Sequence, residues 1–215
     1  MQQGPKQYAK MSLLTKIDLT IDQDWSQVMS IHDSIEAKWK NNQLANTLKT
    51  SAKSDVYTVD IEIVNLGPLG FLSPIQHLVK PGHYSSLLFG KIFESKLPWI
   101  KQLRQDVAEL NLHEVILFKT NGNIATHVDA NFTPGFAKQT TKINIVLKNS
   151  DAIVYVTDGV VTETHDAQAG DAWLLDVANS HWVDTTELYM LQLWFYSDYR
   201  TVLEWFNSRP GLTYK

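Results

Sequence analysis

The strongest constraint on this chain is the density of short, alternating apolar runs from Glu114 onwards. EVILFK, IATHVD, KINIVLK, AIVYV, VVTET, AWLLD and LYMLQLWFY follow one another, separated by Asn-Gly, Asp-Gly and Ala-Gly-Asp punctuation. Runs of this length, rich in β-branched and aromatic residues and bounded by turn formers, read as strands. No helical period lies between them, and a parallel pair would need a crossover of a dozen or more residues. Seven or eight strands must therefore pair antiparallel and close on each other as two layers. The expected fold class is mainly β (α+β), a jelly roll.

The segment before these strands has a different rhythm. In Asp24 to Trp39 the residues Trp25, Val28, Met29, His32, Ile35 and Trp39 recur at three- and four-residue spacing, which predicts one amphipathic helix with Asp24 as its N-cap. Leu97, Ile100, Leu103, Val107 and Leu110 predict a second, with Pro98 in its first turn. VYTVDIEIV between them alternates as a strand does, ahead of the turn-rich Gly67-Pro68-Leu69-Gly70. Tyr199, Val202, Leu203 and Phe206 predict a short C-terminal helix. The expected organisation is a helical and strand elaboration over residues 1–113, packed on a β core over 114–215 as one compact domain.

Composition narrows the chemistry. The chain has no cysteine, so disulfides, thiolate zinc sites and iron–sulfur clusters are excluded, and any metal must be held by His, Asp, Glu or water. Nineteen Lys and Arg against 23 Asp and Glu give a net charge of −4. That charge offers no cationic field for a nucleic-acid backbone or an anionic membrane. The opening MQQGPKQYAK lacks the apolar core of a signal peptide, so a cytoplasmic protein is expected.

Among the strands, His127-Val128-Asp129 stands out, because side chains at i and i+2 leave a strand on the same face and could meet one ion. Alone the pair is a weak signal. Its context is Gly170-Asp171-Ala172-Trp173-Leu174-Leu175-Asp176, a turn and a buried strand, followed by a polar turn and His181 at the start of the next strand. A jelly roll can bring this histidine beside the earlier pair. Two imidazoles and one carboxylate on one face of an octahedral ion leave three positions open, the arrangement that suits non-haem Fe(II).

At these residues the chain resembles the 2-oxoglutarate-dependent Fe(II) oxygenases, with His127, Asp129 and His181 in the places of their H-x-D…H triad. The resemblance covers about Glu114 to Tyr196 and implies a double-stranded β-helix, a cupin-like jelly-roll variant. It implies Fe(II) held by the triad, 2-oxoglutarate as cosubstrate, O2 as oxidant, and release of succinate and CO2. The substrate class it implies is an amino acid or a protein side chain that becomes hydroxylated. The family also needs a cation for the distal carboxylate of the cosubstrate. Trp182 to Tyr199 holds no Lys or Arg where many relatives place one. Lys142 fills the role, as in JmjC-like and asparaginyl-hydroxylase-like relatives, and Gln192-Leu193-Trp194 looks like their amide-x-Trp on the last strand. The aspartyl/asparaginyl β-hydroxylase group is similar as well. The alternation of KINIVLK places Lys142 and Asn144 opposite Ile143, Ile145 and Leu147. Asn144 and Thr126, flanking the ion in this arrangement, and Gln192 are the further candidates for cosubstrate contacts.

Rival assignments follow from the same residues. His165 is an alternative third ligand, Lys119 an alternative anion partner, and the loop Asn131 to Phe136 either a substrate cover or a plain connection. The competing function is a cupin-like module that binds metal or a small ligand without 2-oxoglutarate turnover.

Overall fold

The computed structural model describes residues 12–26, 29–30, 33, 48–50, 56–59, 75–77, 84–88, 97–129, 141–148 and 150–215. The Asn131 to Phe136 loop, the Gly67 to Gly70 turn and most of the expected Asp24 to Trp39 helix lie outside them. Of that helix, Trp25, Ser26, Met29, Ser30 and Asp33 are helical.

Before the dense region come β1 (Leu14–Ile17), β2 (Leu19–Ile21), β3 (Leu48–Thr50), β4 (Val56–Val59), β5 (Ile75–His77) and β6 (Tyr84–Leu88). Helix α1 (Pro98–Asp106) follows, opened by Pro98, whose missing N–H costs a first turn nothing. A single 3-10 turn, Ala108–Leu110, then ends the helical pattern that the apolar spacing foretold. The dense region folds as β7 (Leu112–Thr120), β8 (Ile124–His127), β9 (Thr141–Val146), β10 (Ile153–Thr157), β11 (Thr162–Asp166), β12 (Ala172–Leu175), β13 (Ser180–Asp184) and β14 (Leu188–Phe195). Helix α2 (Tyr199–Asn207) is capped by Asp198, whose carboxylate accepts from the Thr201 N–H at 3.0 Å, and β15 (Leu212–Tyr214) ends the chain.

The pairing of these strands makes a double-stranded β-helix. One sheet runs β1-β12-β9-β14-β7-β6 and the other β11-β10-β13-β8. Taken in chain order from β7 to β14, the backbone crosses from one sheet to the other at almost every step. Only β10 and β11, joined by the Asp158-Gly159 turn, form a hairpin within one sheet. Every pairing in these two sheets is antiparallel. Strands β1 and β6 extend the larger sheet, so the segment before residue 114 contributes to the core's own sheet.

Period-two alternation then sorts side chains into two cores. Val146, Val154, Val156, Trp173, Leu175, Val183, Leu188 and Met190 fill the space between the sheets. Ile143, Ile145, Leu174, Leu191, Leu193 and Phe195 face the other way and pack under α1, α2 and the β2–β15 ribbon. No helix among the described residues is long and apolar enough to cross a membrane. The outer layer clamps the larger sheet, which leaves the interior between the sheets free to carry polar groups at one end.

Candidate metal centre

His127 ends β8 and His181 lies in β13, and the register of the smaller sheet sets them directly opposite each other. Their rings stand 4.2 Å apart between centroids at an interplanar angle of 55°. Asp129 sits two residues past His127, beyond the strand's last residue. The i, i+2 expectation of one continuous strand face therefore holds in effect but not in form: the chain turns after His127 and swings the carboxylate back. Its Oδ1 is 3.4 Å from His127 Nε2 and its Oδ2 is 3.3 Å from His181 Nε2. One ligand atom from each of the three residues lies within 4.8 Å of the others.

The tautomers decide what this cluster can bind. His127 Nδ1 donates to the Ala125 carbonyl at 2.8 Å, and His181 Nδ1 donates to the Asn179 carbonyl at 2.9 Å. A carbonyl only accepts, so both Nδ1 atoms carry a proton, and the neutral form of each ring presents its lone pair at Nε2. Those lone pairs face a carboxylate, which also only accepts. His181 Nε2 is buried and makes no hydrogen bond despite its 3.3 Å approach to Asp129. The three groups converge within 4.8 Å of one another and could hold a cation in place of the one donor that now reaches them, the Lys142 ammonium on Asp129 Oδ2. N,N,O from two imidazoles and one carboxylate matches the donor set of Fe(II) and similar divalent ions. This orphaned nitrogen is the structural observation that the triad fits a metal.

The electrostatics keep the donors in their ligating forms. Burial pushes the Asp129 carboxyl up, but the Lys142 ammonium beside it holds it well below the usual carboxylate range. Burial pushes His181 down against the opposing pull of Asp129, which favours the neutral ring. Lys142 reaches across from β9, in the opposite sheet, and its Nζ lies 2.7 Å from Asp129 Oδ2. Both side chains are only 7% exposed. The ammonium also lies over the Trp194 ring at 5.0 Å.

Next to this pair, the inner face of the larger sheet carries a polar layer. The β9–β14 register sets Trp194 opposite Lys142, Gln192 opposite Asn144, and Met190 opposite Val146. Gln192 Nε2 donates to Asn144 Oδ1 at 3.1 Å, and Trp194 Nε1 donates to Gln192 Oε1 at 3.4 Å. Asn144 is fully buried, yet its Nδ2 has no partner. A buried amide donor left unpaired costs about 1–3 kcal/mol, so this N–H group is suited to an acceptor brought by a ligand. Around Val146 and Met190 the packing is mainly apolar, with Phe118, Val154, Val183 and Leu188 in the same cluster.

Other candidates from the sequence fall elsewhere. Thr126, read as flanking the ion, is exposed on the far side of β8 from His127, because adjacent strand residues leave opposite faces. His165, the rival ligand, lies in β11 with its Nε2 3.3 Å from Asp171 Oδ2 and is not among the residues that converge on Asp129. Lys119 pairs with Asp33 at 2.6 Å beside Tyr189, a residue of the outer core. Sequence reasoning did not reach the two carbonyl locks on the imidazoles or the direct pairing of Lys142 with Asp129. The i−2 carbonyls of Ala125 and Asn179 leave no trace in residue type, so nothing in the sequence marks them.

No family model matches the chain, and no curated protein is similar to it. Solved structures are similar at low identity. An oxidoreductase of the 2OG-Fe(II) oxygenase family from Burkholderia pseudomallei aligns at 16% identity, TM-score 0.42, over 60% of this chain and 67% of its own. The non-haem α-ketoglutarate-dependent epimerase SnoN of nogalamycin biosynthesis aligns at 11% identity, TM-score 0.43, over 85% of this chain and 77% of its own. Vicilin from Corylus avellana aligns at 12% identity, TM-score 0.36, over 62% of this chain, which spans about a third of vicilin's length, 31%.

Proposed function

We propose that this chain is an Fe(II)- and 2-oxoglutarate-dependent dioxygenase that hydroxylates an amino acid or a protein side chain and releases succinate and CO2. The observation that carries the reading is the convergence of two imidazole Nε2 atoms and one carboxylate within 4.8 Å, with both Nδ1 atoms tied to backbone carbonyls. His127, Asp129 and His181 would hold the ion. With 2-oxoglutarate and O2 the ion supplies the oxidising power, one oxygen atom ending in succinate and the other in the substrate's former C–H bond.

The chain's own residues supply position, charge and dryness. Ala125 and Asn179 fix the imidazole rings through their carbonyls, so the ligands pay little ordering entropy on binding. Lys142 offers the cation for the distal carboxylate, and Asn144 Nδ2 and the Gln192 amide offer hydrogen bonds in the adjacent layer. Trp194 walls this layer and packs against the Lys142 ammonium. The apolar cluster around Met190 and Val146 lowers the local dielectric and strengthens the polar contacts.

Anaerobic titration with Fe(II) and 2-oxoglutarate tests the reading, because bidentate chelation gives a metal-to-ligand charge-transfer band in the visible. The wild type should develop the band, and His127→Ala and His181→Ala should not. A His127→Ala variant that keeps it would remove that residue from the ligand set and the reading with it. Discharging the reaction with O2 and measuring succinate completes the test.

A second reading, a cupin-like module that binds metal or a small ligand without turnover, is favoured by one observation. Lys142 is the only Lys or Arg among the described residues in ion-pair contact with the triad, and its ammonium is spent on Asp129. A wild type that binds metal but forms no succinate from 2-oxoglutarate would support this reading over the first.

A further inference from the structure

Lys142 and a divalent ion need the same carboxylate. Asp129 Oδ2 lies 2.7 Å from Lys142 Nζ and 3.3 Å from His181 Nε2, so an ion gripped by both imidazoles and this carboxylate meets the ammonium at its own ligand. Like charges at that spacing in a buried site repel strongly. Either the ion stays out or the ammonium moves.

The surroundings decide where the ammonium can go. The Lys142 side chain is only 7% exposed, with Trp194 opposite it on one neighbouring strand and Leu175 on the other. Its head cannot swing to water as surface lysines do. The next layer inward offers Asn144 Nδ2, which is a donor, while Asn144 Oδ1 and Gln192 Oε1 already accept hydrogen bonds. The Trp194 ring at 5.0 Å supplies a cation–π contact and no counter-charge. Among the described residues, no second carboxylate forms an ion pair with Lys142.

We infer that Lys142 is the built-in counter-cation of the metal-free site: a divalent ion displaces it from Asp129, and the displaced ammonium then pairs with an acidic ligand, so metal and anion bind cooperatively. The inference rests on the proposed metal centre and adds an order of binding to it, metal first and acidic ligand second. Lys142 becomes a positioning residue with two partners in turn. It weakens metal binding when no anion is present and strengthens it when one is.

Mn2+ binding, followed by the EPR signal of the free ion, tests this without turnover. Affinity is measured for the wild type, Lys142→Met, Lys142→Gln, Lys142→Arg and His127→Ala, each with and without 2-oxoglutarate under anaerobic conditions. Without 2-oxoglutarate, the two neutral variants should bind Mn2+ about tenfold tighter than the wild type, a typical size for coupling between adjacent sites. Lys142→Arg, which keeps the charge, should stay close to the wild type. Adding 2-oxoglutarate should tighten Mn2+ in the wild type by a factor about tenfold larger than in the neutral variants, because chelation is common to all and the released ammonium is not. If Lys142→Met does not fold by circular dichroism, Lys142→Gln carries the same expectation. Neutral variants that bind Mn2+ no tighter than the wild type, or that gain as much from 2-oxoglutarate, overturn the inference and leave the metal centre standing. A wild type that does not retain Mn2+, or a His127→Ala variant that does, overturns the metal centre itself.

Discussion

In the metal-free protein, Lys142 and Asp129 should behave as one thermodynamic unit. Each side chain is 7% exposed, and their charged atoms are 2.7 Å apart across the two sheets. At an exposed site such a pair is worth about 0–1 kcal/mol. Here the loss of one partner leaves the other charge buried, and breaking a buried pair costs about 3–5 kcal/mol. For a chain of 215 residues, at about 2–4 °C per kcal/mol, Lys142→Met should lower Tm by about 6–20 °C. Asp129→Asn should do similar damage by stranding the ammonium. The double variant, which buries no net charge, should be more stable than either single one. Thermal and urea unfolding of all four proteins in EDTA at neutral pH closes the cycle. The pH dependence carries a sign. Asp129's carboxyl is held well below its ordinary value of 3.8, so its stabilisation is fully present above that value and is lost as pH falls below it. The acid limb should therefore flatten in Lys142→Met. Single variants that each lose under about 1 kcal/mol, or whose losses simply add in the double variant, would refute the buried-pair argument.

Three other expectations follow from the packing. Ile143 is fully buried on the outer face of β9, so Ile143→Ala should cost about 2–5 kcal/mol in urea unfolding, while Mn2+ affinity of the folded protein stays unchanged because Lys142 and Asn144 face the opposite way. Burial pushes the Tyr199 hydroxyl up to about 12, so its contribution holds below the ordinary value of 10.0 and is lost as pH rises towards 12; the step near 12 in an alkaline ultraviolet titration should vanish in Tyr199→Phe. Asp151 accepts from the Thr185 hydroxyl and the Thr186 N–H, which hold its carboxyl at about 2, so Asp151→Asn should remove stability that the wild type keeps above pH 3.8 and loses as pH falls towards 2, read from Tm against pH.

Much of the site's layout was legible residue by residue. Lys142 and Asn144 could be set apart from Ile143 and Ile145 because the pleat alternates every residue whatever the strand pairs with. Gln192 stood out for the same reason, as a buried amide in an otherwise apolar series. Thr126 went astray on the same rule: one residue before His127, it must face the other way, and proximity in sequence is not proximity in the interior. Asp129 shows the opposite case. The strand ends at His127, so the pleat alone does not bring the carboxylate to the imidazoles, and the turn that does so has no mark in His-Val-Asp itself.

Strand count, the alternation of faces, the helix ends at Pro98 and Asp198, and the exclusion of thiolate chemistry were determined by the chain's own order of residues. Each depends on covalent geometry or composition within a few positions. Tertiary structure alone decided which sheet each strand joined, that His181 stands opposite His127, and that Lys142 answers to Asp129. Those facts depend on which distant strands become neighbours, and that is settled by the burial of two whole cores at once rather than by any local stretch.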